Sequence, residues 1–355
     1  MKQEHYNVIG VMSGTSLDGV DLAHIHFTID TKKWDFTILE CETIRYTNSW
    51  INNLKLAIDF SESELDNLNQ EYTKLLAQII TDFIKKNKID TLDAVCSHGH
   101  TILHQPQNGF TLQIGNLPEI ATLTKQNIVC DFRVQDVKLG GQGAPLVPIG
   151  DQILFSEYDF CLNLGGFSNV SFEQNGERIA FDISPVNTVL NYYANQLGLD
   201  YDDKGQLSRL GKVNENLLSK LNALDYYQQK HPKSLGFEFV KEVILPLIES
   251  FDIPIEDKLC TFTEHVAFQI EQALPNKKGS ILITGGGTYN DFLIERICYY
   301  LPKMEIAIPS AKILEFKEAL IFALLGVLKL RNEINVLSSV TGAKIDHSSG
   351  EIYFP

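Results

Sequence analysis

The sequence predicts an α/β protein with mixed sheets, and three observations predict it. Strand-like and helical apolar patterns alternate along the chain, three glycine-rich turns each follow a buried-looking strand, and one strand-turn-strand pattern occurs twice. Its first copy is Tyr6 to Val11, the turn Ser13 to Gly19, and Val20 to Thr28. Its second is Asp159 to Leu164, the turn Gly165-Gly166-Phe167-Ser168-Asn169, and Val170 to Glu173. A further strand, Glu177 to Phe181, follows the Asn175-Gly176 hairpin signal. The third turn, Gly285-Gly286-Gly287, ends the apolar run Ser280 to Thr284 and leads into a helical pattern from Asn290 to Leu301. Further helices are expected at 62–86, 186–197, 213–223, 236–250, 256–274 and 315–331.

A chain of 355 residues, 44% hydrophobic, is long enough for two domains or one large one. No Pro/Ser/Gly-rich linker separates the halves, so two domains would be joined by short crossings. The longest apolar stretch, Ala319 to Leu330, falls short of the roughly 20 residues that cross a bilayer. The N-terminus runs straight into a strand-like segment without the apolar core of a signal peptide, so a cytoplasmic location is expected. Six cysteines without a C-x-x-C pair read as free thiols. A net charge of −15, with no basic run to offset it, argues against nucleic acid and anionic membranes as partners.

Glycine-rich turns after strands let backbone amides approach a phosphate. Any one of them is weak support, because most such turns are plain hairpins, but three in two similar halves point to a nucleotide site. Neither the P-loop pattern G-x-x-x-x-G-K-[ST] nor G-x-G-x-x-G occurs, so the site is of another type. His98, His100 and His104 raise the question of zinc. Alternation within a strand puts His98 and His100 on one face, but His104 lies past a turn with no cysteine or carboxylate adjacent, so no zinc is expected.

The segment Gly10-Val11-Met12-Ser13-Gly14-Thr15-Ser16-Leu17-Asp18-Gly19-Val20-Asp21 resembles the first phosphate-binding segment of the anhydro-N-acetylmuramic acid kinases. The resemblance continues in order through Ser97-His98-Gly99-His100-Thr101, Gln113 to Asn116, Asp131-Phe132-Arg133, Gly140 to Pro148, Asn163 to Gly166, Phe181-Asp182, Pro232-Lys233-Ser234, Gly285 to Gly287, Glu318-Ala319-Leu320 and Ser339 to Ala343. It covers essentially the whole chain. Ser184 and Val186 stand where the family usually has glycine, Leu235 where it has threonine, and His100 where it commonly has glutamine.

The resemblance implies a two-lobed, actin-like (ribonuclease H-like) duplicated fold, shared with hexokinases and the Hsp70 ATPase, with ATP in the interdomain cleft. The expected lobes are residues 1–130 with about 332–355, and 131–331. The implied activity is ATP-dependent opening of the 1,6-anhydro bridge of anhydro-N-acetylmuramic acid with phosphorylation of O6. The product, N-acetylmuramic acid 6-phosphate, belongs to peptidoglycan recycling. A kinase for a different amino sugar, or a non-kinase ATPase of the actin type, is the alternative. A plain glycosidase would want two opposed carboxylates and no ATP. The resemblance also suggests a homodimer.

By spacing alone Asp182 is a helix cap; the resemblance makes it the catalytic base. ATP phosphates are assigned to Gly14, Thr15, Ser16, Leu17, Asp18, Gly19, Val20 and Asp21 with Gly165 and Gly166, and the adenosine side to Gly285, Gly286 and Gly287. Asp18 and Asp21 are candidates to steer Mg²⁺, through water because that ion dehydrates reluctantly. His98, Arg133, Asn187 and Glu318 are assigned to the sugar. Arg133 beside Asp131 reads by default as a surface ion pair, but an arginine facing the sugar can fork onto the lactyl carboxylate. Glu318 opens a largely apolar helix, where a carboxylate is favoured by the helix dipole or reserved for a ligand. Lys233, in a Pro/Gly-bounded loop, is expected to affect ligand affinity more than a surface lysine does.

Overall fold

The computed structural model describes residues 3–14, 16–31 and 33–355. It divides into two compact units, Met1–Leu154 with Phe316–Pro355, and Phe155–Glu315.

In the first unit β1 (His5–Ser13), β2 (Gly19–Asp30) and β3 (Lys33–Arg45) form an antiparallel meander. β4 (Ala94–Gln105) pairs parallel with β1, β5 (Phe110–Ile114) returns antiparallel along β4, and β6 (Ile128–Cys130) adds parallel to β4. The second unit repeats the scheme. β7 (Phe160–Leu164), β8 (Phe167–Gln174) and β9 (Glu177–Pro185) form the meander, and β10 (Gly279–Thr284) and β11 (Met304–Ala307) add in parallel. β12 (Glu351–Tyr353) closes the first sheet against β6. The orders β3-β2-β1-β4-β6 and β9-β8-β7-β10-β11 are one path used twice, which bears out the α/β class and the duplication.

The elements form where the pattern demands. The helix Glu62–Lys86 begins with a capping box, Ser61 with Glu64. It buries Leu68, Tyr72, Leu76, Ile80 and Phe83 against Ile9, Val11, Leu22 and Val95 of the sheet. The other face is covered by the helix Ala311–Leu330, buried almost all round after a kink at Phe316. It lies so close that a Cβ on Gly10 would overlap the Ala319 carbonyl, and one on Gly326 would overlap Cys96 Sγ. Gly326→Val is therefore expected to destabilise the fold by about 1–3 kcal/mol, the usual scale of overpacking. An unchanged denaturation midpoint would contradict this close approach.

Several boundaries differ from expectation. The first unit takes in residues 131–154 and 316–331, which the sequence reading places in the other lobe. The reason lies in long-range contacts, because Phe132 packs on Phe322 and the Asp136 carboxylate accepts from Thr341 Oγ1 at 2.7 Å. The glycine turn at Gly165-Gly166 is tighter than expected, since Phe167, Ser168 and Asn169 already belong to β8. β9 runs past Phe181 to Pro185, which sets Asp182 inside a strand rather than at its end. The helical region expected at 236–250 runs from Phe237 to Glu249 with a π-helical stretch at Val240–Ile244. No helix among the described residues is long and apolar enough to cross a membrane.

Candidate active site

The first unit offers a charged group built around Arg133. Its Nε donates to His98 Nε2 at 2.8 Å and its Nη1 to the Gly143 carbonyl at 2.6 Å. His98 Nδ1 faces the Gly99 carbonyl at 2.9 Å, which only accepts, so Nδ1 carries the proton and Nε2 is the lone pair that receives Arg133. Burial holds His98 well below the usual imidazole range and so keeps it neutral, with the Arg133 charge acting in the same direction. The ring packs 4.6 Å from Phe322. His98 therefore aims Arg133 from behind, although the sequence reading gave it to the sugar. Burial also lowers Arg133, to about 10, while Glu318 and Asp136 oppose the shift.

The loop that supplies the Gly143 carbonyl is itself tied down. Buried Asp136 accepts from Gly143 N at 2.6 Å and from Thr341 Oγ1, and Gln142 N donates to the Thr341 carbonyl. Two motifs of the sequence, Gly140 to Pro148 and Ser339 to Ala343, thus brace Arg133.

Glu318 keeps solvent-accessible surface, yet the surrounding protein strips much of its hydration and pushes its carboxyl above the usual range. Asp21 and Asp18 push the same way, and Arg133 and Lys317 oppose them. The dipole benefit expected at a helix start does not dominate, because the helix already begins at Ala311 and Glu318 lies beyond the kink. Asp18, which accepts from Ser16 Oγ at 2.7 Å, is exposed; Asp21 is half-buried and accepts from Thr43 Oγ1 at 2.6 Å. Asp18 and Asp21 thus hold up the proton affinity of Glu318, a repulsion that a divalent cation would relieve. Among the described residues no three His, Cys, Asp or Glu converge to hold a metal directly. The arrangement fits a divalent cation that Asp18 or Asp21 would hold through water.

In the segment assigned to phosphate by resemblance, Leu17 N donates to the Gly14 carbonyl and Leu17 takes φ 62°. Gly19, Val20 and Asp21 begin β2. Thr15 lies outside the described residues. Ser13 Oγ bonds Tyr46 Oη at 2.6 Å and His100 Nδ1 at 2.7 Å, so His100 supports the end of β1. His98 and His100 do not share surroundings as strand alternation predicts. Gly99 at φ 74° and the register shift between β1 and β4 break the alternation, and His100 packs near Tyr46 and Tyr72 instead.

In the second unit Asp182 is held at three atoms. Its N–H donates to the Lys233 carbonyl at 3.2 Å, its carbonyl accepts from Tyr226 Oη at 2.6 Å, and Oδ2 accepts from Leu235 N at 2.9 Å. Burial raises its pKa and the Leu235 amide partly offsets that. The carboxylate caps no helix, since the helix Asn187–Gln196 has no side-chain cap. Lys233 is half-buried, with Nζ 4.5 Å from the Tyr226 ring centroid and donating to the Tyr226 carbonyl at 3.3 Å. Tyr226 and the Leu235 amide gave no signal in the sequence, because each reaches Asp182 across more than 40 residues.

Ser184 and Val186, the two replaced glycines, need no left-handed backbone. Ser184 Oγ lies 3.0 Å from Ser168 Oγ, and Val186, at φ −131°, is fully buried in the core.

The two glycine turns of this unit lie together. The Gly165 carbonyl accepts from Asn187 N, and the Gly166 carbonyl from Val186 N and Thr188 N. Gly285, at φ 87°, leaves no room for a Cβ beside Asn163 and the Leu164 carbonyl, and a Cβ on Gly287 would meet Leu164. Asn187 Nδ2 donates to the Leu164 carbonyl at 3.4 Å and lies beside Gly286 and Gly287, so this amide braces the two turns.

Residues 6–355 match the family model for anhydro-N-acetylmuramic acid kinase. The anhydro-N-acetylmuramic acid kinase of Mannheimia succiniciproducens is 34% identical over 99% of this chain and 100% of its own length. That of Francisella tularensis subsp. novicida is 32% identical over 99% of each chain. Among solved structures, the (R)-2-hydroxyglutaryl-CoA dehydratase component A of Acidaminococcus fermentans aligns at a TM-score of 0.46 and 13% identity, over 93% of this chain and 100% of that one. Matched from end to end by these kinases and by the family model, the chain belongs to the anhydro-N-acetylmuramic acid kinase family.

Proposed function

We propose that the chain opens the 1,6-anhydro bridge with a water activated by Asp182 while O6 takes the γ-phosphoryl of ATP. Membership of the family makes it a sugar phosphotransferase that uses ATP. The observation that carries the residue assignment is Asp182 itself: a half-buried carboxylate whose pKa burial raises, fixed at its N–H, its carbonyl and one carboxylate oxygen. Such a group is suited to taking a proton from water.

Bond accounting requires one base and one electrophile. Water oxygen bonds to C1 as the C1–O6 bond breaks, the water proton passes to Asp182, and O6 bonds to phosphorus as ADP leaves. Phosphoryl capture of O6 replaces the acid that an inverting glycosidase supplies. Mg²⁺, when bound, neutralises the charge on the transferring phosphoryl group, and Asp18 and Asp21 would hold it through water. Backbone amides of the Gly14 to Asp21 segment and of Gly165-Gly166 are assigned to the phosphates, and Gly285 to Gly287 to the adenosine side. Arg133, aimed by His98 and the Gly143 carbonyl, is assigned to the lactyl carboxylate. Glu318, with its raised pKa beside Arg133, is assigned to a sugar hydroxyl.

Mass spectrometry of the product tests the reaction. The expected mass is that of the anhydro sugar plus one water and one phosphoryl group, formed only with ATP. A phosphorylated product that keeps its bridge, or bridge opening without ATP, would refute it.

A further inference from the structure

Behind the strand that carries Asp182 lies a cavity of about 260 Å³. Phe181 and Ile183, the neighbours of Asp182 on β9, form one wall, and Lys230, His231 and Lys233 line it with Gln269 and Gln272. In a chain of net charge −15, this lining holds two lysines and a histidine and no carboxylate. The His231 and Phe181 rings stack at 5.5 Å, giving a flat apolar face.

Gln269 supplies a second, independent observation. It is only 5% exposed, and its Nε2 is spent on Asn222 Oδ1 at 3.0 Å. Asn222 Oδ1 is in turn fixed by His265. No protein donor reaches Gln269 Oε1, and that oxygen is not sealed from solvent, so it is left as an acceptor on the cavity wall. An acceptor left free of protein donors on a cavity wall is placed to take a ligand O–H or N–H in exchange for water.

We propose that this cavity binds a small phosphorylated sugar and that its occupation slows turnover. The phosphate meets Lys230 and His231, a sugar hydroxyl or amide donates to Gln269 Oε1, and the apolar face of the ring lies on Phe181 and His231. Lys233 couples cavity to catalysis. Its ammonium sits over the Tyr226 ring, its carbonyl holds Asp182 N, and Leu235, two residues on, holds Asp182 Oδ2. A phosphate that draws the ammonium off Tyr226 shifts the backbone that positions the carboxylate. The effect on turnover rests on Asp182 being the base, whereas the binding does not.

The probes are N-acetylglucosamine 6-phosphate and inorganic phosphate. Each is titrated calorimetrically into the full chain held saturated with the anhydro sugar and a non-hydrolysable ATP analogue. Saturable binding of the phosphosugar is expected, weakened at least tenfold, about 1.4 kcal/mol, by Lys230→Glu. A second variant, Gln272→Leu, should also weaken it. Both positions are exposed, so neither change threatens the fold, and turnover without the phosphosugar should be unaltered. At saturating substrates, a phosphosugar concentration that slows the wild type by half should slow Lys230→Glu far less. Absence of saturable binding, equal affinity in Lys230→Glu, inorganic phosphate binding as tightly as the phosphosugar, or inhibition relieved by saturating substrate would each overturn the proposal. Full turnover by Asp182→Asn would instead refute the base assignment and leave the binding result to stand or fall by itself.

Discussion

Asp182→Asn is expected to lower turnover by about 10²–10⁴-fold, the range for loss of general-base catalysis, while ATP affinity stays near wild type. Asparagine keeps the shape and can still accept from the Leu235 amide, so position survives and basicity does not. The same residue sets the acid side of the pH profile. A base works only when deprotonated, and burial raises this carboxyl above the ordinary aspartate range. Turnover should therefore fall as pH drops through a value above that range. Removing the Leu235 amide, which holds the pKa down, should move the fall to still higher pH. A variant that retained most of its turnover, or a profile limb at ordinary aspartate pKa, would show that another group is the base.

Arg133→Lys is expected to raise the Michaelis constant for the anhydro sugar by about 10²-fold, the scale of a lost charged, forked contact, and to change that for ATP far less. Lysine keeps the positive charge but has neither the Nε–H that His98 receives nor the second arm that the Gly143 carbonyl fixes. A sugar lacking the lactyl carboxylate should bind the wild type and the variant equally poorly. If the variant discriminated between the two sugars as the wild type does, the carboxylate partner would be a different residue.

Local pattern carried most of the fold, and long-range contact carried the rest. The helix Glu62–Lys86 matches its expected span because its capping box and apolar stripe are written in adjacent residues. β3 alternates Trp34, Phe36 and Ile38 with polar residues, but only Ile38 is buried, so no continuous apolar run marks this strand as it marks the core strands. The lobe boundaries moved because Phe132 meets Phe322 and Asp136 meets Thr341, partners about 200 residues apart that no local window joins. At the candidate site the residue types were legible while some of their duties were not. His98 reads as a pocket residue until Gly99 at φ 74° and the Nδ1 contact show it serving Arg133. The Asn187 contact with the Leu164 carbonyl is likewise invisible in the sequence, because the two stand 23 residues apart.

The proposed central step is a water oxygen delivered to carbon with Asp182 as the base, and oxygen-18 water tests it most directly. Single turnover in labelled water, followed by carbon-13 and phosphorus-31 NMR of the product, should place the label on C1, with inversion at that carbon and none in the phosphate. Label in the phosphate, or none on C1 at the moment of formation, would contradict the account.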